Sequence, residues 1–427
     1  MDLSGAFHLL FFRPKSALWM LSALAGGLSV VWHTGNFGHS HTPHAFQAIS
    51  KFIERVVNER GRQRGRDYGF DVYVDDLMGV CFEGMETLVR DEVYSVIREL
   101  LGSRAVAEDK TEWGRRLVFV GWDIDLDSES VFMAEHIVLK LVYHMDQIRA
   151  GKVSGRSLFE VMAALVERLS AICPLLNAFK GHLYGNYCRL SNMSACVELS
   201  PLSLMALALA RRVVVSHAGG GAGYPFSFFI ARPKSFVVEF DGSIYGAGCR
   251  VFEMVDGLEA LRAEVSLDLP PEVATTEKLR TECQNGNELL AVVLGLHVVH
   301  YLSGGSVGVG VRGDSEVALS WISTNHFKSP FAHRSALAWI LLESESSMQV
   351  VSKQWISKNV NLACDAYSRR IRPVSTPGVL SVVPESTSPL ASRLHYVVAC
   401  CNPLLASSPL TTLDDLGTFF DSIPSTR

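Results

Sequence analysis

At 427 residues, with 48% hydrophobic and 19% charged side chains, the chain is long enough for two or three domains, and its composition excludes a disordered or fibrous protein. A formal net charge of -5 disfavours a uniformly basic nucleic-acid coat, so any phosphate contact must come from local patches such as Arg55, Arg60, Arg62, Arg64 and Arg66. Nine cysteines without a Cys-x-x-Cys pair exclude a disulfide scaffold and a finger-type zinc site, and read as a reduced intracellular protein, cytoplasmic or nuclear.

Along the chain, Ala17 to Trp32 is almost continuously apolar. Asp2 comes first, Arg13 and Lys15 interrupt, and Gly26-Gly27 breaks the run, so a buried strand and turn is expected rather than a membrane segment. Phe46, Ile49, Phe52, Ile53 and Val56 recur at helical spacing and predict a helix over Ala45 to Arg60. Strands are expected at Tyr68 to Val74 and Leu77 to Phe82, with Asp75 and Asp76 at the turn between them. A helix should follow over Leu88 to Leu101 and one strand over Leu117 to Asp125. Residues 126–217 read as helical, for example Leu158 to Ile172 and Leu202 to Val215. The Gly-rich Ala218 to Gly223 opens a linker expected over 218–235. From Phe236 strand and helix signals alternate to about 372, an α/β pattern. Residues 373–427, rich in Ser, Thr and Pro, are expected to be a poorly ordered tail.

Tyr73-Val74-Asp75-Asp76 places two adjacent carboxylates at a hairpin tip; the bland reading is an Asp-rich turn. The order of motifs over residues 1–125 resembles a reverse-transcriptase palm. Met1-Asp2-Leu3-Ser4-Gly5-Ala6-Phe7-His8 resembles its first motif. Asn36-Phe37-Gly38 through Thr42-Pro43-His44-Ala45-Phe46-Gln47 resembles the second, and Tyr73 to Asp76 the third. Lys110 and Val118-Phe119-Val120-Gly121-Trp122 resemble the next two. The resemblance implies that Asp2 and Asp75 hold Mg2+ or Mn2+, with Asp76 the less essential member. It implies that Phe7 rejects a ribose 2′-hydroxyl, and that Phe37, Gly38 and Gln47 contact template and incoming dNTP. Lys110 would lie near the leaving pyrophosphate, and Val120, Gly121 and Trp122 would grip the primer end of a primer–template. Hard oxygen ligands suit such ions. The family's fingers have no counterpart ahead of Asp2, so a palm lacking fingers is expected, unable to extend a primer by itself.

A second set of carboxylates follows. Val238-Glu239-Phe240-Asp241-Gly242-Ser243 puts an acid at the end of an apolar strand, and Val311-Arg312-Gly313-Asp314-Ser315 does the same. Asn287-Glu288-Leu289-Leu290-Ala291 and Asn361-Leu362-Ala363-Cys364-Asp365-Ala366-Tyr367-Ser368-Arg369 bring two more from helices. Four acids at one place repel unless cations neutralise them. The stretch of about 236–370 resembles ribonuclease H. The resemblance makes Asp241, Glu288, Asp314 and Asp365 ligands of two Mg2+ or Mn2+ ions, with Glu288 at the start of the first helix, and makes an RNA–DNA hybrid the substrate. Two departures stand out. Trp355 occupies the place where the family often has a His assisting proton transfer, which implies slower turnover. Glu253 to Gly286 is longer than the core fold needs and is expected to hold an insertion.

His33, His39, His41 and His44 are accompanied by no Cys at suitable spacing and overlap the second motif, so they are not read as a zinc site. Cys364 is expected to be buried rather than nucleophilic. The fold class expected is therefore α/β and α+β multidomain. It comprises a truncated reverse-transcriptase palm at 1–125, thumb- or connection-like helices at 126–217, a linker at 218–235, a ribonuclease-H-like α/β domain at 236–372 and the tail at 373–427. The function implied is that of a retroelement RNA-directed DNA polymerase with ribonuclease H activity. The alternative is a catalytically dead nucleic-acid-binding remnant or pseudogene product.

Overall fold

The computed structural model describes residues 2–3, 21–23, 29–31, 41–66, 68–149, 153–164, 169, 196–197, 199, 201–216, 223–269, 277–324, 327, 330–346 and 348–401. Phe7, Phe37, Gly38, His33 and His39 lie outside these residues, as do most of Ala17 to Trp32, the Gly-rich Ala218 to Gly221 and residues 402–427. The chain is a mixed α/β protein divided into two compact units, Met1–Ala134 and Glu135–Arg427.

In the first unit, β1 (Asp2–Leu3), β2 (Leu21–Ala23) and β3 (Ser29–Val31) precede α1 (His41–Gln63). β2 and β3 pair antiparallel, as the strand-and-turn reading of that apolar stretch expects. α1 starts earlier than its apolar spacing indicates. Pro43 falls in its first turn, where a missing N–H costs no intrahelical bond. Phe46, Ile53 and Val57 line its buried face. β4 (Tyr68–Tyr73) alternates, burying Phe70 and Val72, and returns as β5 (Asp76–Cys81). α2 (Glu86–Leu101) adds Val89, Val93, Val96 and Ile97 to the same core. With β6 (Val106–Ala107) the sheet order is β4-β5-β1-β6.

The expected single strand over Leu117 to Asp125 is instead two. β7 (Arg116–Phe119) and β8 (Trp122–Asp125) form a hairpin, extended by β9 (Ser130–Met133). Val120 (φ 48°) and Gly121 (φ 80°) turn the chain in two residues with consecutive positive φ, the geometry that matches strand twist. The basic patch is drawn into ion pairs. Arg60 pairs with Glu99, Arg62 with Glu59, and both Arg64 and Arg66 hold the buried Glu92 of α2. Four of its five guanidinium groups thus pair α1 and the following loop with neighbouring acids.

In the second unit α3 (Glu135–Arg149), α4 (Gly155–Ala164) and α5 (Pro201–Ser216) accompany a short pair, β10 (Val153–Ser154) and β11 (Cys196–Val197). Beyond them lies a six-stranded mixed sheet. β12 (Lys234–Gly242), β13 (Gly246–Val255) and β14 (Leu258–Asp268) form an antiparallel meander. β15 (Gly308–Gly313) runs parallel to β12, β16 (Gln349–Trp355) parallel to β15, and β17 (Leu380–Val382) parallel to β14, giving the order β16-β15-β12-β13-β14-β17.

α6 (Glu277–Ser303) packs on this sheet, fully burying Leu289, Ala291, Val292, Val293, Leu294 and Leu296. α7 (Glu316–Thr324) and α8 (Pro330–Glu345) also lie against α6. α9 (Leu362–Ser368) sits where Gly248 leaves room, since a Cβ there would stand 2.7 Å from the Cys364 oxygen. A row of paired charges crosses the α9 side of the sheet. Glu239 is opposite Arg250 and Arg312 in register, and Arg250 is opposite Glu264.

Three expectations change here. Of Glu253 to Gly286, the described residues form the end of β13, β14 and the opening turns of α6, and the expected insertion over 270–276 lies outside the described residues. Glu288 therefore stands in the middle of its helix. The segment 223–233, read as linker, is held to the start of β16, where Gln349 bonds the Phe228 oxygen at 2.6 Å and the Arg232 nitrogen at 3.4 Å. The stretch read as a poorly ordered tail contains β17 and α10 (Pro389–Cys401), whose Leu390, Leu394, Val397 and Val398 are buried, with α10 packed on α6 and α8.

Candidate active sites

Four carboxylates approach one another in the second unit from four elements. Asp241 is the penultimate residue of β12, and Glu288 comes from α6. Asp314 follows the last residue of β15, and Asp365 lies on α9. The strand and helix can meet because residue 242 is Gly: a Cβ there would lie 2.2 Å from the Glu288 nitrogen. Burial, opposed by the Ser368 hydroxyl and reinforced by the charges of Asp314 and Asp365, pushes the Asp241 carboxyl up to about 6. Burial together with the charges of Asp241 and Asp314 pushes Glu288 up to about 7. Asp365, whose burial works the other way, is held below the ordinary carboxylate range by Arg369 at 3.0 Å and Lys358 at 3.6 Å. Asp241 thus senses the charges of Asp314 and Asp365, and Glu288 those of Asp241 and Asp314.

Each acid also has its own neutral or cationic holder. Ser368 Oγ donates to Asp241, Ser315 Oγ donates to Glu288, and Asn361 Nδ2 donates to Asp314 at 2.9 Å. The same Nδ2 donates to the Phe240 oxygen at 2.8 Å, tying the end of β12 to Asp314. Asn287 Nδ2 reaches the Ser243 oxygen at 2.7 Å, and Ser243 Oγ donates to the Ser368 oxygen at 2.6 Å. The residues beside one acid therefore fasten the next. Ser315, Ser368, Asn361 and Asn287 stood inside the motifs read from sequence, but no role was assigned to them there. Among the described residues no three His, Cys, Asp or Glu side chains converge closely enough to hold an ion as they stand. The donor set nevertheless fits hard divalent cations: every candidate ligand is a carboxylate oxygen, and two of them resist ionising without a compensating charge.

In the first unit β1 pairs with β5 so that Asp2 lies directly across from Asp76, and Asp75 precedes Asp76 in the turn. The side chain of Asp2 lies outside the described residues. Val74 carries the turn at φ 56°, a conformation a β-branched residue rarely adopts. Gln47 Oε1 accepts from the Val74 nitrogen at 2.6 Å, and Ser50 Oγ donates to the Val74 oxygen. Gln47, read from sequence as a template or nucleotide contact, is engaged with the backbone of this hairpin. A cavity of about 680 Å³ opens beside Asp76, with Lys110 and Val120 also on its walls. Gly121 and Trp122 complete the hairpin that bounds it.

No protein-family model and no curated protein matches this sequence. Among solved structures, the chain is similar to the foamy viral protease-reverse transcriptase in complex with RNA/DNA hybrid, at 14% identity and a TM-score of 0.37, over 91% of this chain and 46% of that one. It is similar to the same viral protein, in its dRH form with double-stranded DNA, at 14% identity and a TM-score of 0.35, over 84% of this chain and 56% of that one. The chain thus spans about half the length of these viral proteins. It is also similar to the N-terminal RNase H domain of a Mycobacterium tuberculosis protein, at 20% identity and a TM-score of 0.25, over 32% of this chain and 96% of that domain.

Proposed function

We propose that the second unit cuts the RNA strand of an RNA–DNA hybrid, within a retroelement protein whose first unit carries palm carboxylates for RNA-templated DNA synthesis. The meeting of Asp241, Glu288, Asp314 and Asp365 on four separate elements carries this reading. Mg2+ or Mn2+ held by these four would supply charge neutralisation and Lewis acidity for phosphodiester hydrolysis. The chain's own residues do the rest. Ser368, Ser315 and Asn361 fix the carboxylate orientations before substrate arrives, and Lys358 and Arg369 set positive charge at the border of the acidic centre. In the first unit Asp2, Asp75 and Asp76 would hold the polymerase ions, with Lys110 facing the same cleft as Asp76. Primer–template and dNTP are its proposed partners.

The test is strand-specific. The full chain is incubated with a hybrid labelled on either strand, in magnesium and, separately, in calcium. RNA should be cut in magnesium only, and DNA should stay whole. Binding of hybrid without any cutting would instead favour the dead binding remnant.

A further inference from the structure

β16 ends on a tryptophan beside the acidic centre. Trp355 is opposite Gly313 in register, and the next residue, Ile356, donates its N–H to the Gly313 oxygen at 3.0 Å. The indole N–H donates to the main-chain oxygen of Asp314 at 3.2 Å. The ring is therefore fixed to the turn that presents a candidate ligand, yet 54% of the residue remains exposed. A tryptophan held rigidly and left half in water contributes little to a core and offers a flat apolar face to something else. The loop beyond it continues the same surface. Lys358 is exposed and stands 3.6 Å from the Asp365 carboxylate, and Val360 and Leu362 are both exposed.

The geometry points to a substrate-strand rim. The indole of Trp355 packs on the sugar edge of the nucleotide next to the bond that is cut, Lys358 takes that nucleotide's phosphate, and Val360 and Leu362 line the path. This inference rests on the nuclease reading and adds to it the residues that seat the strand. Three observations select a nucleic-acid strand as the occupant. The rim is continuous with the carboxylates through Asp314. It alternates flat apolar surface with a cation, and sugars and phosphates alternate in the same way along a strand. The acidic centre itself repels phosphate, so an approaching strand needs positive charge at its border. Sugars of an A-form-like hybrid face a wide, shallow groove, where a ring at this height can reach them. The indole N–H is engaged with main chain, so this residue acts by contact and not by proton transfer.

The test measures binding of a fluorescein-labelled RNA–DNA hybrid to the full chain in EDTA, where no cutting occurs. Trp355→Ala should weaken binding about tenfold, Trp355→Phe about twofold, and Lys358→Gln should reduce both affinity and its salt dependence. Tryptophan emission should fall on hybrid addition in the parent chain, with the fall smaller in Trp355→Phe. Parental affinity of Trp355→Ala overturns the rim. Should that variant fold poorly, unchanged emission of the parent chain at saturating hybrid overturns it equally. A chain that binds through Trp355 but never cuts retains the rim and loses the nuclease. A chain whose Trp355→Ala variant cuts with parental KM retains the nuclease and loses the rim.

Discussion

Asp241 and Glu288 are the residues at which solution conditions should register first. Their folded values, about 6 and about 7, lie above the usual carboxylate value of about 4. Between those limits these two groups bind more protons in the folded protein than in the unfolded chain, so their contribution to stability is fullest below about pH 4 and is lost as pH rises through 6 to 7. Thermal melts of metal-free protein should therefore move down between pH 5 and pH 8, and magnesium should restore more at pH 8 than at pH 5. An equal magnesium effect at both would remove the repulsion argument. In the first unit, Gln47→Ala should leave the Val74 amide without its acceptor. This costs about 1–2 kcal/mol and speeds hydrogen exchange at Val74 specifically. The acids themselves were legible in sequence because each ends a strand or sits in a helix motif. Their holders were not: Ser315 and Glu288 are 27 positions apart, Ser368 and Asp241 127. Nothing local links a hydroxyl to so distant a partner.

At the scale of elements, amphipathic spacing located α1 and α2, and the Asp-Asp hairpin was visible from its flanking apolar runs. β14 was hidden because Glu259, Arg262 and the buried Glu264 pair with charges across the sheet, which makes a half-buried strand read as polar. β17 and α10 were hidden by Ser, Thr and Pro around short apolar runs. Ending the chain after Arg372 should remove the burial of Leu390, Leu394, Val397 and Val398. At roughly 1.5–3 kcal/mol each, the loss is about 6 kcal/mol or more, enough to abolish a cooperative melt of the second unit. An unchanged melting temperature would show that α10 contributes nothing. Gly248→Ala should lower stability by about 1–3 kcal/mol, since its Cβ would meet both the Cys364 oxygen and the Tyr367 Cβ at 2.7 Å.

For the whole molecule, the family resemblance set boundaries at 125 and 236, whereas the chain divides into two compact units after Ala134. The helices α3 to α5, read from sequence as a region of their own, share a unit with the six-stranded sheet, and α5 contacts α8. Helical periodicity reports a buried face but not what buries it. The central claim is that the four carboxylates act as one hydrolytic site on an RNA–DNA hybrid. Its most direct test compares the full chain with Asp241→Asn, measuring cleavage of the RNA strand in magnesium and hybrid affinity in EDTA. Cleavage should disappear while affinity holds or tightens, because one negative charge no longer opposes phosphate. Parental cleavage by Asp241→Asn would contradict it.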